Sequence, residues 1–157
     1  MRIGSGIDVH AFGPGNAVVL GGVRIPHSHG VVAHSDGDVL LHALVDALLG
    51  AAALGDIGEH FPDSDPRWRG ADSRQFVTTT MEMLTRRSWR VVNADLTLVA
   101  QAPRLGTWRD PIRHSVATLL GIATADVNLK ATTTEHLGFI GRNEGLMGLA
   151  TVLIDKA

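Results

Sequence analysis

With 157 residues, 45% of them hydrophobic and 19% charged, the chain is long enough for one domain with its own core and too apolar for a disordered segment. A formal net charge of -2 argues against broad nucleic-acid binding, which calls for a basic face. There is no cysteine, which excludes disulfides and thiol chemistry and restricts any zinc site to histidine and carboxylate ligands.

Ile3 to Phe12 carries Ile3, Ile7, Val9 and Ala11 between polar or small residues and is expected to be a strand, weakened by Gly4 and Gly6. Val18-Val19-Leu20, Gly21-Gly22 and Val23-Arg24-Ile25 read as a hairpin that Pro26 ends, and His27 to Gly37 as a polar loop. Val39 to Leu54, rich in leucine and alanine, is expected to be a helix with Gly55 as its stop. Gly55 to Gly70 reads as a long ordered loop, a feature that is usually functional in a small domain. Asp72-Ser73-Arg74-Gln75 resembles a helix start with a capping pair, the helix running to about Arg87. Trp89 to Ala100 reads as a strand with Val91, Asn93, Asp95, Thr97 and Val99 facing one way. Thr107 to Leu120 reads as a helix capped by Thr107 and stopped by Gly121, and Val127 to Thr133 and Leu146 to Ile154 as two more strands. Interleaved strands and helices predict one α/β (α+β) two-layer domain over residues 1–157: a mixed sheet of about four main strands packed on helices, plus a small hairpin. No apolar run reaches the roughly 18 residues of a membrane-spanning helix, and Met1-Arg2-Ile3-Gly4 opens no signal-peptide stretch. A cytoplasmic protein that binds neither membrane nor nucleic acid is the expectation.

Asp8 and His10 sit two apart on a strand and therefore share a face, where a carboxylate and an imidazole can point at one metal ion; a solvated polar face reads equally from these residues. His42, on the leucine- and alanine-rich helix, reads as a partly buried histidine or as a third ligand that would complete the open pattern of a catalytic zinc site. Asp38 and Asp46, four residues before and after it, are placed to orient its ring. His34-Ser35-Asp36-Gly37-Asp38 precedes that helix, so Ser35 or Asp36 can cap it, while the free N–H groups there can also bind phosphate. The acidic loop residues Asp56, Asp63 and Asp65 are either solvated or hydrogen-bonded to polyol hydroxyls. Thr132 and Glu135 match a capping box for a short helix; the same Lys130-Ala131-Thr132-Thr133-Thr134-Glu135 run could cradle a diphosphate, with Glu135 holding a hard divalent cation. Arg142 and Glu144, beside Phe139, read as a surface ion pair in a turn. Two classes fit: a metal-dependent enzyme acting on a phosphorylated polyol or nucleotide, and a ligand-binding or structural α/β oligomer with incidental histidines.

Taken in order, several segments resemble the 2-C-methyl-D-erythritol 2,4-cyclodiphosphate synthase family over nearly the whole chain. They are Gly4 to Phe12, Ala33 to Val39, Leu41 to Leu44, Asp46 to Gly50 and Leu54 to Gly58, then Phe61-Pro62-Asp63, Gly70 to Ser73, Ala131 to Glu135, Leu137-Gly138-Phe139 and Gly141-Arg142. The resemblance implies a homotrimer with its sheets facing the threefold axis and active sites between subunits. It implies zinc on Asp8, His10 and His42, and magnesium or manganese on Glu135. His34 and Thr133 would contact the reacting phosphates, with Val9, Ser35, Thr132 and Thr134 beside them. Asp56, Ile57 and Gly58 would hold the ribose, while Phe61, Pro62, Asp63, Ser64 and Asp65 would shape the methylerythritol site. Ala100, Gln101, Ala102, Pro103, Arg104, Leu105 and Gly106 of a neighbouring subunit would enclose the cytosine of a cytidine diphosphate substrate. The implied reaction closes a cyclic diphosphate and expels CMP, in the non-mevalonate route to isoprenoid precursors. An apolar cavity on the trimer axis near Phe139, Arg142 and Glu144 is implied as a place for isoprenoid diphosphates. The chain departs from the family pattern in having Arg104 where lysine is usual, Gly106 where a larger apolar residue is typical, and Asn143 in place of a small residue.

Overall fold

The computed structural model describes residues 1–157. Its centre is α1 (Val39–Ala52), whose run of leucine and alanine favours helix and leaves most of its surface apolar, so the helix is buried nearly all round. Its N-cap is Asp38, not Ser35 or Asp36: an Asp38 carboxylate oxygen accepts the Leu41 N–H at 3.0 Å. It ends at Ala53 in a left-handed turn (φ 57), two residues before the glycine expected to stop it.

In front of α1 lies a five-stranded sheet of β1 (Arg2–Gly13), β4 (Gly30–Val31), β5 (Trp89–Val99), β6 (Val127–Thr132) and β7 (Gly145–Lys156), in the order β4-β1-β7-β5-β6. Only β5 and β6 run parallel, joined across α4 (Arg109–Leu120); every other pairing is antiparallel. The hairpin of β2 (Ala17–Leu20) and β3 (Val23–Pro26) forms a separate two-stranded sheet. The four long strands are those expected; β4, inside the segment read as loop, adds a short edge. α3 (Arg74–Thr85) packs beside α1 and α4, so one helical layer covers one face of the sheet. No helix is long and apolar enough to cross a membrane.

The glycines that weakened the first strand have a packing purpose. A Cβ on Gly4 would lie 1.9 Å from the Ala47 carbonyl oxygen, and one on Gly6 would lie 2.0 Å from that of Ala43. Gly148 of β7 meets the Val39 carbonyl in the same way, at 2.4 Å. Glycines on the strands and alanines on the helix thus let α1 rest directly on β1 and β7.

Four local expectations are corrected. β5 carries a bulge between Val91 and Asn93, so Val91 joins Ala94, Leu96 and Leu98 in the core, while Asn93, Asp95 and Thr97 stay outside. The Gly55–Gly70 loop contains α2 (Ile57–His60) and a 3-10 turn at Pro66–Trp68. α4 begins at Arg109 behind a 3-10 turn at Gly106–Trp108, with no side-chain cap from Thr107, although Gly121 does end it in the left-handed region. Thr132 and Glu135 form no capping box: Glu135 and His136 have φ of 51° and 63°, and the helix that follows, α5, spans Gly138–Gly141.

Candidate active site and metal centre

Strand alternation turns Gly4, Gly6, Asp8 and His10 toward α1 and Ile3, Ile7 and Val9 away from it. Because Gly4 and Gly6 seat the helix so closely, its first turn brings His42 beside Asp8, though the two are 34 residues apart. His42 Nδ1 and Asp8 Oδ2 are 3.0 Å apart, and His10 Nδ1 is 2.9 Å from the same oxygen. The His10 contact is out of line for a hydrogen bond, which leaves that buried ring nitrogen without a partner. The ligand atoms of Asp8, His10 and His42 all lie within 4.8 Å of one another. One carboxylate and two imidazoles, with an orphaned buried nitrogen among them, suit a divalent transition metal such as zinc, and the cleft beside them leaves a side open for a further ligand.

Burial works against ionisation of Asp8, but the two imidazoles of His10 and His42 beside it outweigh that and hold the carboxyl below its ordinary range. Burial likewise opposes an imidazolium at His42, yet the bond to Asp8 and its charge prevail and raise that pKa. Asp38 and Asp46 do not orient His42. Asp38 accepts the Gly21, Gly22 and Leu41 N–H groups, and Asp46 accepts the Ile57 N–H at 2.7 Å. The His42 ring is held instead at Nε2, by Ser73 Oγ at 2.8 Å and Ser35 Oγ at 3.2 Å. Ser73, fully buried at the head of α3, makes no capping bond, and its hydroxyl goes to this contact. In the sequence its position read as helix-start chemistry, so only tertiary structure exposes the role.

The triad opens into a cleft of about 550 Å³. Of the residues singled out from sequence, it gathers Asp8, Val9, His10, His34, Ser35, His42, Ile57, Gly58, Phe61, Pro62 and Asp63. Three others lie outside its lining: Asp56 caps α2 by accepting the Glu59 N–H, Asp65 is paired with Arg67, and Ser64 is exposed. His34 Nε2 is buried without a hydrogen-bond partner. An aromatic wall of Phe61, Trp68 and Phe76, with ring centroids 4.8 to 5.4 Å apart, closes one side; Trp68 and Phe76 were not singled out from sequence.

A second cleft, of about 580 Å³, gathers Ala100, Gln101, Pro103, Arg104, Leu105, Gly106, Thr132, Thr133 and Glu135. It therefore joins the segment expected at cytosine to the one expected at phosphate. Ala102 is not part of its lining, and Thr134 donates its hydroxyl to the Leu137 carbonyl at 2.6 Å. Arg109 and His136, not anticipated, complete the rim, with His136 Nδ1 held 2.7 Å from Gln101 Nε2. The two clefts share no lining residue. Phe139 and the Arg142–Glu144 ion pair, 3.1 Å long, belong to neither and sit on α5 and the turn after it.

Fold and site together define an α/β enzyme built around a carboxylate–imidazole group able to hold a metal ion. The chain belongs to the YgbB family, whose sequence profile matches residues 1–155. A Pseudomonas aeruginosa (strain UCBPP-PA14) protein named 2-C-methyl-D-erythritol 2,4-cyclodiphosphate synthase is 60% identical over 154 residues, covering 98% of each chain. A solved structure of a synthase of that name in its CDP-bound form is 40% identical, with a TM-score of 0.90, and is matched over 98% of this chain and 100% of that one. The bifunctional IspDF of Campylobacter jejuni superposes with a TM-score of 0.95 at 41% identity; this chain, matched over 99% of its length, spans 42% of that larger chain. The family is the one that the sequence motifs resemble.

Proposed function

We propose that the protein converts 4-diphosphocytidyl-2-C-methyl-D-erythritol 2-phosphate into 2-C-methyl-D-erythritol 2,4-cyclodiphosphate and CMP. The observation that carries this reading is the convergence of Asp8, His10 and His42 at the wall of a cleft, in a chain of this family. An oxygen of the 2-phosphate attacks the β-phosphorus, a new P–O bond closes the ring, and the bond from the β-phosphorus to the oxygen bridging to the α-phosphate breaks. CMP leaves with that electron pair. The nucleophile is a phosphate oxygen already ionised at neutral pH, so no side chain has to act as a strong base.

The chain's work is to fold the substrate back on itself and to screen its charge. Positioning of this kind contributes about 7–11 kcal/mol to barrier lowering. Zinc bound by Asp8, His10 and His42 would supply Lewis acidity at the β-phosphate, and magnesium or manganese bound by Glu135 would neutralise charge on the departing phosphate. His34 offers a buried nitrogen with no protein partner to a phosphate oxygen, and Thr133 a hydroxyl already turned toward Glu135, 3.2 Å from Oε1. Ile57 and Gly58 would border the ribose, Phe61 and Pro62 would pack on the methylerythritol carbons, and the neighbouring subunit's second cleft, lined by Ala100, Gln101 and Pro103 to Gly106, would enclose the cytosine.

We further propose a homotrimer in which each active site combines the first cleft of one subunit with the second cleft of its neighbour. Two observations support it: the clefts share no residue, and the uncovered sheet face carries Ile3 and Ile7, 73% and 57% exposed, beside a polar strip in which Asp95 pairs with Lys130. Incubation with the substrate, zinc and magnesium should yield CMP and cyclic diphosphate in equal amounts by phosphorus NMR. Absence of CMP release, or turnover undiminished after EDTA and removal of divalent ions, would overturn this reading.

A further inference from the structure

We infer that Ser73 and Asp36 are positioning residues that hold the His42 ring with its proton on Nε2, leaving the Nδ1 lone pair free to ligate a cation beside Asp8. The inference rests on the reading of Asp8, His10 and His42 as a metal-ligating set. Ser73 is 0% exposed, so its hydroxyl is out of contact with bulk solvent. That hydroxyl donates to Asp36 Oδ1, and the Ser73 backbone N–H donates to Asp36 Oδ2 at 3.0 Å. Asp36 Oδ1 also takes the Asp38 N–H at 3.2 Å, so both carboxylate oxygens act as acceptors.

A hydroxyl has one proton to give. With that proton on Asp36, the Ser73 oxygen can only accept, and the ring nitrogen 2.8 Å away must be the donor. Ser35 Oγ, 3.2 Å from the same nitrogen, already accepts the Gly37 N–H and offers a second acceptor there. On the opposite edge of the ring, Nδ1 faces Asp8 Oδ2 at 3.0 Å. A neutral His42 protonated on Nε2 therefore sets a nitrogen lone pair against a carboxylate oxygen, an arrangement that a cation satisfies. The other tautomer would satisfy Asp8 but would aim its lone pair at a Ser73 hydroxyl with no proton left, with only the longer Ser35 contact to meet it. Serine at a helix head ordinarily caps; here α3 starts without that bond, and the hydroxyl is committed to the ring.

The tautomer is observable in the metal-free protein. Long-range proton–nitrogen correlation spectra of histidine-labelled protein, at a pH where His42 is neutral, should show a protonated Nε2 and a bare Nδ1. Ser73→Ala should erode that preference and raise the zinc dissociation constant, measured against a competing chelator, by about 10–100-fold. Asp36→Asn should move both in the same direction, whereas Ser73→Thr, which keeps the hydroxyl, should preserve both. A wild-type His42 protonated on Nδ1, or a folded Ser73→Ala protein with unchanged tautomer and unchanged zinc affinity, would overturn the inference. The wild-type spectrum decides the matter even if Ser73→Ala fails to fold. Wild-type protein that binds no zinc would overturn the metal-centre reading instead, and the metal-free spectrum would still decide the role of Ser73.

Discussion

At the scale of single residues, His42 is where packing becomes chemistry. It touches Asp8 on one edge and Ser73 on the other, and its side chain is mostly buried. His42→Ala should keep the fold, because the ring lies at the cleft wall and not within the leucine core. It should lose bound zinc by elemental analysis and lose activity by more than the roughly 10–100-fold typical of removing a group that only supports a ligand. Full zinc occupancy in that variant would contradict the assignment. The Asp8–His10 half of the triad is legible in the sequence, since alternation along a strand is local physics and a spacing of two fixes a common face. The half that involves His42 is not, because it depends on how closely a helix 34 residues away approaches the strand. Asp38 and Asp46 share a helical face with His42 and looked equally suited to hold its ring, yet nearer backbone donors claim both carboxylates.

At the scale of elements, two junctions carry the site. The first is the seat of α1 on β1. Gly6→Ala would put a Cβ 2.0 Å from the Ala43 carbonyl oxygen, a contact that only movement of the helix can relieve. Overpacking of this kind costs about 1–3 kcal/mol. Urea unfolding should show that loss, and the same movement should weaken zinc binding by separating His42 from Asp8. A variant as stable as wild type, with unchanged zinc affinity, would disprove the argument. The second junction is Asp38, fully buried, which joins the hairpin turn at Gly21 and Gly22 to the start of α1. Burial pushes its pKa up to about 6 from 3.8. The folded state thus holds this proton more tightly than the unfolded chain, so the contribution of Asp38 to stability is largest below about pH 4 and declines as pH rises to about 6. Asp38→Asn should flatten that slope in urea titrations between those pH values; an unchanged slope would place the proton elsewhere. Asp38→Ala, which strands three N–H groups, should cost about 3 kcal/mol. The hairpin, α1 and the long strands are legible from apolar runs and glycine pairs. The β5 bulge, the two-residue β4 and the turns within Gly55–Gly70 are not, because each is set by neighbours and not by local pattern.

At the scale of the whole molecule, one chain holds two separate clefts. The metal-binding group lies in one cleft and Glu135 in another that shares no residue with it. If the first cleft of each subunit meets the second cleft of the next, the interface is heterologous and three copies close a ring. Asp8→Ala and Glu135→Ala should then each be inactive as homotrimers, since every interface carries a defect. In a mixed trimer, one interface joins like subunits and carries one defect, one carries both, and one is intact. Random assembly from equal amounts makes about three quarters of the trimers mixed, each with one working site in three, so activity should recover to about a quarter of wild type. The subunits must be exchanged by co-expression or joint refolding, with native mass spectrometry reporting the mixed species. Verified mixed trimers without recovered activity would place Asp8 and Glu135 in the same subunit's site.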